Sequence, residues 1–309
     1  MGQYVLRRLL MLIPVLFGVS IIVFSIMQLT PGDPALLALG EFAPPEQLEA
    51  LREQLGLNDP PHVQYLRWVS KAAQLDLGQS LRSRRPVTEE IASRLPATGQ
   101  LALYAVTFAA LIGIPAGVIS ATRPNSLVDN AITVAALAGV SMPVFWQALM
   151  LMIIFSVHYN LLPSSGMVDG WKSFVLPVVT LGTSTTAGIA RMTRATMLEA
   201  LQQDYVRTAR AKGLSERVVV YRHTLRNALI PVVTIIGLEF GGLMAGAVVT
   251  ETIFAWPGIG RLVVDAIRTK DFPLVQGTIL TFAVVYVFIN LIVDLIYAYL
   301  DPRLRVRYN

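Results

Sequence analysis

The sequence predicts an all-α integral membrane protein with six spans, and three observations carry that prediction. Hydrophobic residues make up 54% of the chain and charged residues only 15%, against about 25% charged in ordinary globular domains, and mean hydropathy is +0.58. The apolar residues are gathered into six runs, 9–29, 101–121, 132–157, 174–189, 229–250 and 275–300, most of them near the ~20 residues a helix needs to cross a bilayer. The connections between runs carry basic residues unevenly, which is the signal that orients a bundle in the membrane.

The first run follows Arg7 and Arg8 and passes directly into Thr30-Pro31-Gly32-Asp33-Pro34. It is longer than the ~7–15 residues of a signal-peptide apolar region. Residues 1–30 therefore read as a retained transmembrane helix with its N-terminus in the cytoplasm. Residues 31–99 shift to mixed charge, frequent proline and short amphipathic stretches. They read as an extracytoplasmic helical insertion, too small for a large core of its own, with Tyr65 and Trp68 as interfacial anchors or packing residues. Residues 100–309 hold the remaining five runs as a core transmembrane domain. The run 174–189 is diluted by hydroxyls between Thr180 and Thr186, and is expected to extend to Met197 with Arg191 and Arg194 at the headgroups.

Topology follows from charge. With the N-terminus inside, the cytoplasmic segments hold Arg7, Arg8, Arg123, eight Lys and Arg between Arg191 and Arg226, and Arg303, Arg305 and Arg307. Most outer basic residues fall between Arg52 and Arg94, in a segment long enough to translocate regardless of charge. Both termini and the 199–231 segment are thus expected in the cytoplasm.

Pro115, Pro143, Pro177 and Pro231 lie within apolar runs, where each removes a backbone hydrogen bond and kinks a helix. Gly113, Gly117, Gly237 and the Gly241 to Gly246 cluster offer close-packing faces. Two carboxylates sit in apolar surroundings. Asp294, near the cytoplasmic end of the last run, reads as an interfacial structural partner. Glu239, midway along the fifth, must face the bundle interior or a water-filled cavity, either as half of a buried pair or on a substrate pathway.

The segment 199–231 is basic and reads as two short helices. Leu198, Leu201, Tyr205 and Ala209 recur at helical spacing. Gly213 stands where a left-handed cap is wanted, and Ser215 is placed to cap a second helix carrying Glu216 in its first turn. No GxxxxGK[ST] phosphate loop is present, nor HExxH or GxSxG. His62, His158 and His223 have no ligand spacing, and the absence of cysteine removes disulfides and thiolate chemistry. No catalytic and no metal residue is expected, and no nucleic-acid partner.

Against the pattern E-A-A, three residues, Gly, nine residues, I-x-L-P, only Ala209, Gly213 and Leu225 match. Yet DYVRTARAKGL followed by HTLRNALIPVVT, together with PGDP at 31–34, SMP at 141–143, RMTR at 191–194 and TETIFAWPGIGR at 250–261, resembles the permease subunits of ATP-binding cassette importers, in the dipeptide, oligopeptide, glutathione and nickel group. That resemblance implies the six-span type I importer permease fold, a place in the bacterial cytoplasmic (inner) membrane and no cofactor on this chain. The implied partners are a homologous second permease, two ATPase subunits binding ATP and Mg2+, an extracytoplasmic solute-binding protein and the surrounding lipid. It implies that Tyr205, Thr208, Ala209, Ala211, Lys212, Gly213, Leu214 and Ser215 form the coupling helix seated on an ATPase subunit, with His223 in the hinge.

The last outer loop, with Phe254, Trp256, Pro257 and Arg261, reads as a headgroup belt, a plug capping the spans or a docking contact, and the resemblance points to docking of the binding protein. Glu239 is the candidate pathway residue. A substrate of di- or oligopeptide type is implied, with glutathione or nickel as alternatives. An ion-coupled secondary transporter using Glu239 and Asp294 is a separate reading, against which stands the lack of repeated halves.

Overall fold

The apolar runs fold as long helices because a backbone surrounded by lipid must satisfy every N–H and C=O within its own segment. A computed structural model describes residues 2–29, 32–40 and 43–300. Thr30, Pro31 and the C-terminal arginines Arg303, Arg305 and Arg307 lie outside the described residues.

Helix α1 (Gly2–Leu29) leans on the final helix, α14 (Phe272–Leu300), where Arg8 and Asp294 form an ion pair at 2.9 Å. Asp294 thus has the structural partner its position called for. Three short helices follow, α2 (Pro34–Leu39), α3 (Pro45–Leu55) and α4 (Pro61–Ala73). Each begins with a proline, which suits a first turn whose N–H has no helical acceptor. Arg52 joins α3 to the cap of α2 through two hydrogen bonds to Asp33 Oδ2, at 2.6 and 2.9 Å. Burial alone would raise the Asp33 carboxyl, but the Arg52 guanidinium and the Ala35 amide hold it below its ordinary range.

Helix α5 runs from Val87 to Thr122, starting well before Gly99, where the composition changes. It continues unbroken through Pro96 and Pro115, as α8 (Lys172–Leu201) does through Pro177. The centre of the bundle is the α5–α8 pair. Its close approach depends on Gly117, where a Cβ would stand 2.6 Å from the carbonyl oxygen of Ala190.

The run 132–157 departs from a straight span. It forms α6 (Leu127–Ser141) and α7 (Val144–Leu151), the latter continuing into a π-helical turn, Met152–His158, and the two arms meet at 100°. Among the expected proline kinks, Pro143 alone coincides with a break. Pro115, Pro177 and Pro231 sit inside continuous helices. Among the described residues, five helices are long and apolar enough to cross a membrane, and counting the bent pair as one span brings the number to six.

After α8 come α9 (Asp204–Ala211) and a single rod made of α10 (Glu216–Val218), a π-helical turn (Val219–Thr224) and α11 (Leu225–Gly246). The short helices α12 (Val248–Ile253) and α13 (Ile259–Arg268) then fold back to meet α14.

Candidate functional site

The turn between α8 and the α10–α11 rod is narrower than the sequence implied. Leu198 and Leu201 belong to α8, and the amphipathic helix itself is only the eight residues of α9. Gly213 does adopt the left-handed conformation, φ 77°. Ser215 stands extended at the start of α10 without a side-chain capping bond. Two contacts join the turn to itself. Val206 and Ala209 pack inward against Val219 and Leu201, and Arg210 grips Glu216 through two hydrogen bonds, at 2.6 and 3.1 Å.

The apolar face differs accordingly. Tyr205 is exposed, and Val206, which the spacing argument passed over, is fully buried. Ala209 is 6% exposed, so it holds the turn to its own chain and is not available to a partner. Tyr205, Thr208, Ala211, Lys212, Gly213, Leu214 and Ser215 are all exposed. His223 lies in the π-helical turn that follows α10.

Further into the bundle, Glu239 on α11 is half-buried. Its Oε2 lies 3.4 Å from Thr185 Oγ1 on α8, and its Oε1 sits beside Gly188. Among the described residues no cation pairs with it. Ser184 and Arg191 are exposed on the same helix, and with Gly188 their spacing places them along one face of α8. Uncompensated polar groups on a spanning helix do not face hydrocarbon. This face therefore belongs against another protein surface or water.

The loop after α11 is built around Glu251, a residue the sequence reading did not single out. It is fully buried. Thr98 donates to its Oε1 at 2.6 Å, the Ile259 amide donates to Thr98 Oγ1 at 2.9 Å, and the Arg261 amide donates to Glu251 Oε2 at 3.1 Å. Burial pushes the carboxyl up, against the lowering effect of these donors. Gly258 and Gly260 are required by contact, since a Cβ at Gly258 would strike the Glu251 carboxylate and one at Gly260 would lie 2.7 Å from the Cα of Val248. The chain TETIFAWPGIGR is thus a clasp around one carboxylate.

Phe254 and Trp256 are correspondingly buried, at 2% and 0% exposure, which corrects their reading as contacts for a docking protein. Trp256 donates from Nε1 to the Ala97 carbonyl at 3.0 Å and stands edge-on to Phe174 with centroids 4.7 Å apart. They plug the bundle, because large apolar rings gain more from burial than from a solvated loop. Pro257 and Arg261 remain half-buried, with Arg261 Nη1 bonded to the Ala255 carbonyl at 2.8 Å.

Residues 113–306 match the family model described as binding-protein-dependent transport system inner membrane component, and residues 1–103 match its N-terminal counterpart, binding-protein-dependent transport system membrane component, N-term. The chain belongs to this permease family. The dipeptide transport system permease protein DppB of Alkalihalophilus pseudofirmus is 47% identical over 99% of this chain and 100% of the relative. The glutathione transport system permease protein GsiC of Escherichia coli is 45% identical, with the same coverage of each chain. Among solved structures, the inward-facing MetNI methionine ABC transporter aligns with a TM-score of 0.55 at 20% identity, covering 68% of this chain and 96% of that one. An amino acid ABC transporter with histidines aligns at 0.53 and 17%, covering 70% and 94%. Both share the type I importer permease fold. The protein is therefore the transmembrane permease subunit of an ATP-binding cassette importer.

At the α9 end of the permease bundle, Asp129 is almost completely buried. Arg194 reaches both of its oxygens at 2.8 Å, the Ser120 hydroxyl donates to Oδ1, and the Asn125 amide donates to Oδ2 at 2.9 Å. This cluster ties the α5–α6 turn to α8, so Arg194 is a structural residue. The signal for it was present in the sequence. Ser126 and Asp129 have the S-x-x-D spacing of a capping box, and Ser126 Oγ accepts the Asp129 amide at 3.2 Å.

Proposed function

We propose that this permease imports short peptides, with an ATPase subunit seated on the exposed face of α9 and the substrate passing Glu239. The arrangement is that of a bacterial cytoplasmic membrane complex with both termini and the 202–215 turn in the cytoplasm. A homologous permease closes the pathway, two ATPases bind ATP and Mg2+, and a solute-binding protein delivers substrate to the opposite side. Relatives named for dipeptide and glutathione transport are almost equally similar, and both substrates are short peptides.

The observation that carries this reading is the packing of the turn onto its own chain combined with the exposure of its outer residues. The turn is continuous with α8 on one side and, through α10, with α11 on the other. A displacement imposed on it by closing ATPases is transmitted to both helices that bear the Thr185, Gly188 and Glu239 face. Such coupling needs contacts that differ between the two states, and a rigid lever that does not fold independently of the spans supplies them.

Replacing Leu214 with Glu places a charge on the exposed face without touching the Val206 and Ala209 packing. Membrane insertion is expected to be unchanged and copurification of the ATPases to fall about tenfold or more, since burying an unpaired charge costs several kcal/mol. Full copurification would remove α9 from the docking role. Replacing Ala209 with Glu has a different consequence, because the charge enters the turn's own core and is expected to increase proteolysis at 202–215.

Glu239→Gln keeps shape and hydrogen bonding while removing charge. Assembly, melting temperature and basal ATP hydrolysis are expected to stay near wild type and peptide uptake to fall, measured on one preparation with a peptide-length series, glutathione and nickel. A lowered melting temperature with unchanged uptake per assembled complex would instead make Glu239 a structural residue.

A further inference from the structure

The charged side chains of α8 and α11 fall into two groups. Lys172 and Glu199 stand near the two ends of α8, Arg226 stands in the first turn of α11, and Arg194 is held by Asp129. The remaining two, Glu239 and Arg191, are opposite in sign. Among the described residues neither has an ion-pair partner, in the other or elsewhere.

The two lie close along one helix face. Glu239 Oε1 sits 3.8 Å from where a Cβ at Gly188 would stand. Arg191 follows Gly188 by three residues, which places it on the same face of α8, about 4.5 Å nearer α9 by helical rise. The carboxylate also has open space beside it. A Cβ at Gly188 would meet only Glu239, and one at Gly242, exposed three residues further along α11, would meet nothing within 4 Å. Helix packing requires neither glycine, unlike Gly113, where a Cβ would stand 2.9 Å from the Thr186 carbonyl oxygen.

On the reading that Glu239 lies on the substrate path, we propose that Glu239 and Arg191 form a two-point site for the termini of a short zwitterionic peptide. Glu239 takes the α-ammonium group and Arg191 the α-carboxylate, with the carboxylate end nearer α9. A guanidinium fork matches a carboxylate with two parallel hydrogen bonds. An extended dipeptide spans roughly 7 Å, which the offset of the two positions and the length of the arginine side chain together cover. Each charge alone is costly on a spanning helix, and a zwitterion neutralises both at once. A divalent cation would satisfy Glu239 and be repelled by Arg191.

The test measures uptake by the whole importer, in proteoliposomes with its binding protein. A free dipeptide, its N-acetyl form and its C-terminal amide are compared, each at a concentration giving equal occupancy of the binding protein. Wild type is expected to move the free dipeptide about fivefold or more faster than either blocked form. Glu239→Gln is expected to lose the preference over the N-acetyl form and keep that over the amide. Arg191→Gln is expected to do the reverse, and Arg191→Lys to keep both preferences. The wild-type comparison stands even where Arg191→Gln fails to assemble, and equal wild-type rates for the three peptides would overturn the proposal. So would a loss in which either Gln variant lowers all three rates together with the melting temperature, as a structural role requires. If Arg191→Gln keeps the preference over the amide while Glu239→Gln loses that over the N-acetyl form, the two-point site falls and the pathway role of Glu239 stands. If Glu239→Gln changes no uptake rate, both fall.

Discussion

An importer carrying Asp129→Ala is expected to be recovered in low yield and to melt well below wild type. The substitution leaves Arg194 facing a site from which its carboxylate has gone, and it also removes the acceptor for the Ser120 hydroxyl and the Asn125 amide. Breaking a buried ion pair from one side costs about 3–5 kcal/mol, whereas replacing both partners by apolar residues of similar volume is often close to neutral. Arg194 is one-third exposed, which places the expected loss at the lower end of that range. The double variant Asp129→Leu, Arg194→Met is therefore expected to recover much of the lost stability. Thermal melts of the four members of this cycle, on the assembled complex, measure the coupling directly. If the double variant is as damaged as the sum of the two single variants, Asp129 and Arg194 act separately and the clamp between the α5–α6 turn and α8 is not what holds that end of the bundle.

The second large effect is expected at Gly260. Valine there drives a Cβ toward the backbone of Val248 and toward Glu251 Oε2, 2.9 Å away, and neither can yield. The Val248 Cα is fixed in α12, and the Glu251 carboxylate is fixed by Thr98 and the Arg261 amide. Overpacking of this kind costs roughly 1–3 kcal/mol, and more when backbone is the obstacle. The clasp also aligns Trp256, whose ring closes the bundle against Phe174, so its near-environment fluorescence is expected to shift toward that of a solvated indole. Gly99→Ala is the matching control, because a Cβ there meets only the Met244 sulfur, at an ordinary 4.0 Å, and alanine favours the α5 helix. Equal melting temperatures for Gly260→Val and Gly99→Ala would contradict the clasp.

Composition and run length determined that this chain lives in a membrane as an α-helical bundle, because an apolar segment in lipid has no other way to satisfy its backbone. The ordered motifs pointed to the importer permeases. Single-residue rules also held where a local cause was sufficient. Gly213 is left-handed because a tight turn needs it, and Asp294 pairs with Arg8 because it lies close enough to a span end to reach a basic residue. Reasoning from spacing failed where two faces of a short helix compete. Tyr205 and Val206 are neighbours, and only packing against Val219 and Leu201 decided that Val206 turns inward. The same holds for Phe254 and Trp256, which a loop composition assigns to the surface and which packing takes in, Trp256 against α5 and α8 and Phe254 against α7 and α8. Pro143 falls at the break between α6 and α7, whereas Pro115, Pro177 and Pro231 lie inside continuous helices, and a proline's lost hydrogen bond does not by itself decide between the two outcomes. Glu251 and Asp129 gave weak signals for a related reason. A buried carboxylate is tolerable only when several donors converge on it, and those donors come from Thr98, Arg194 and Ser120, residues brought to the site by tertiary structure and not by sequence distance.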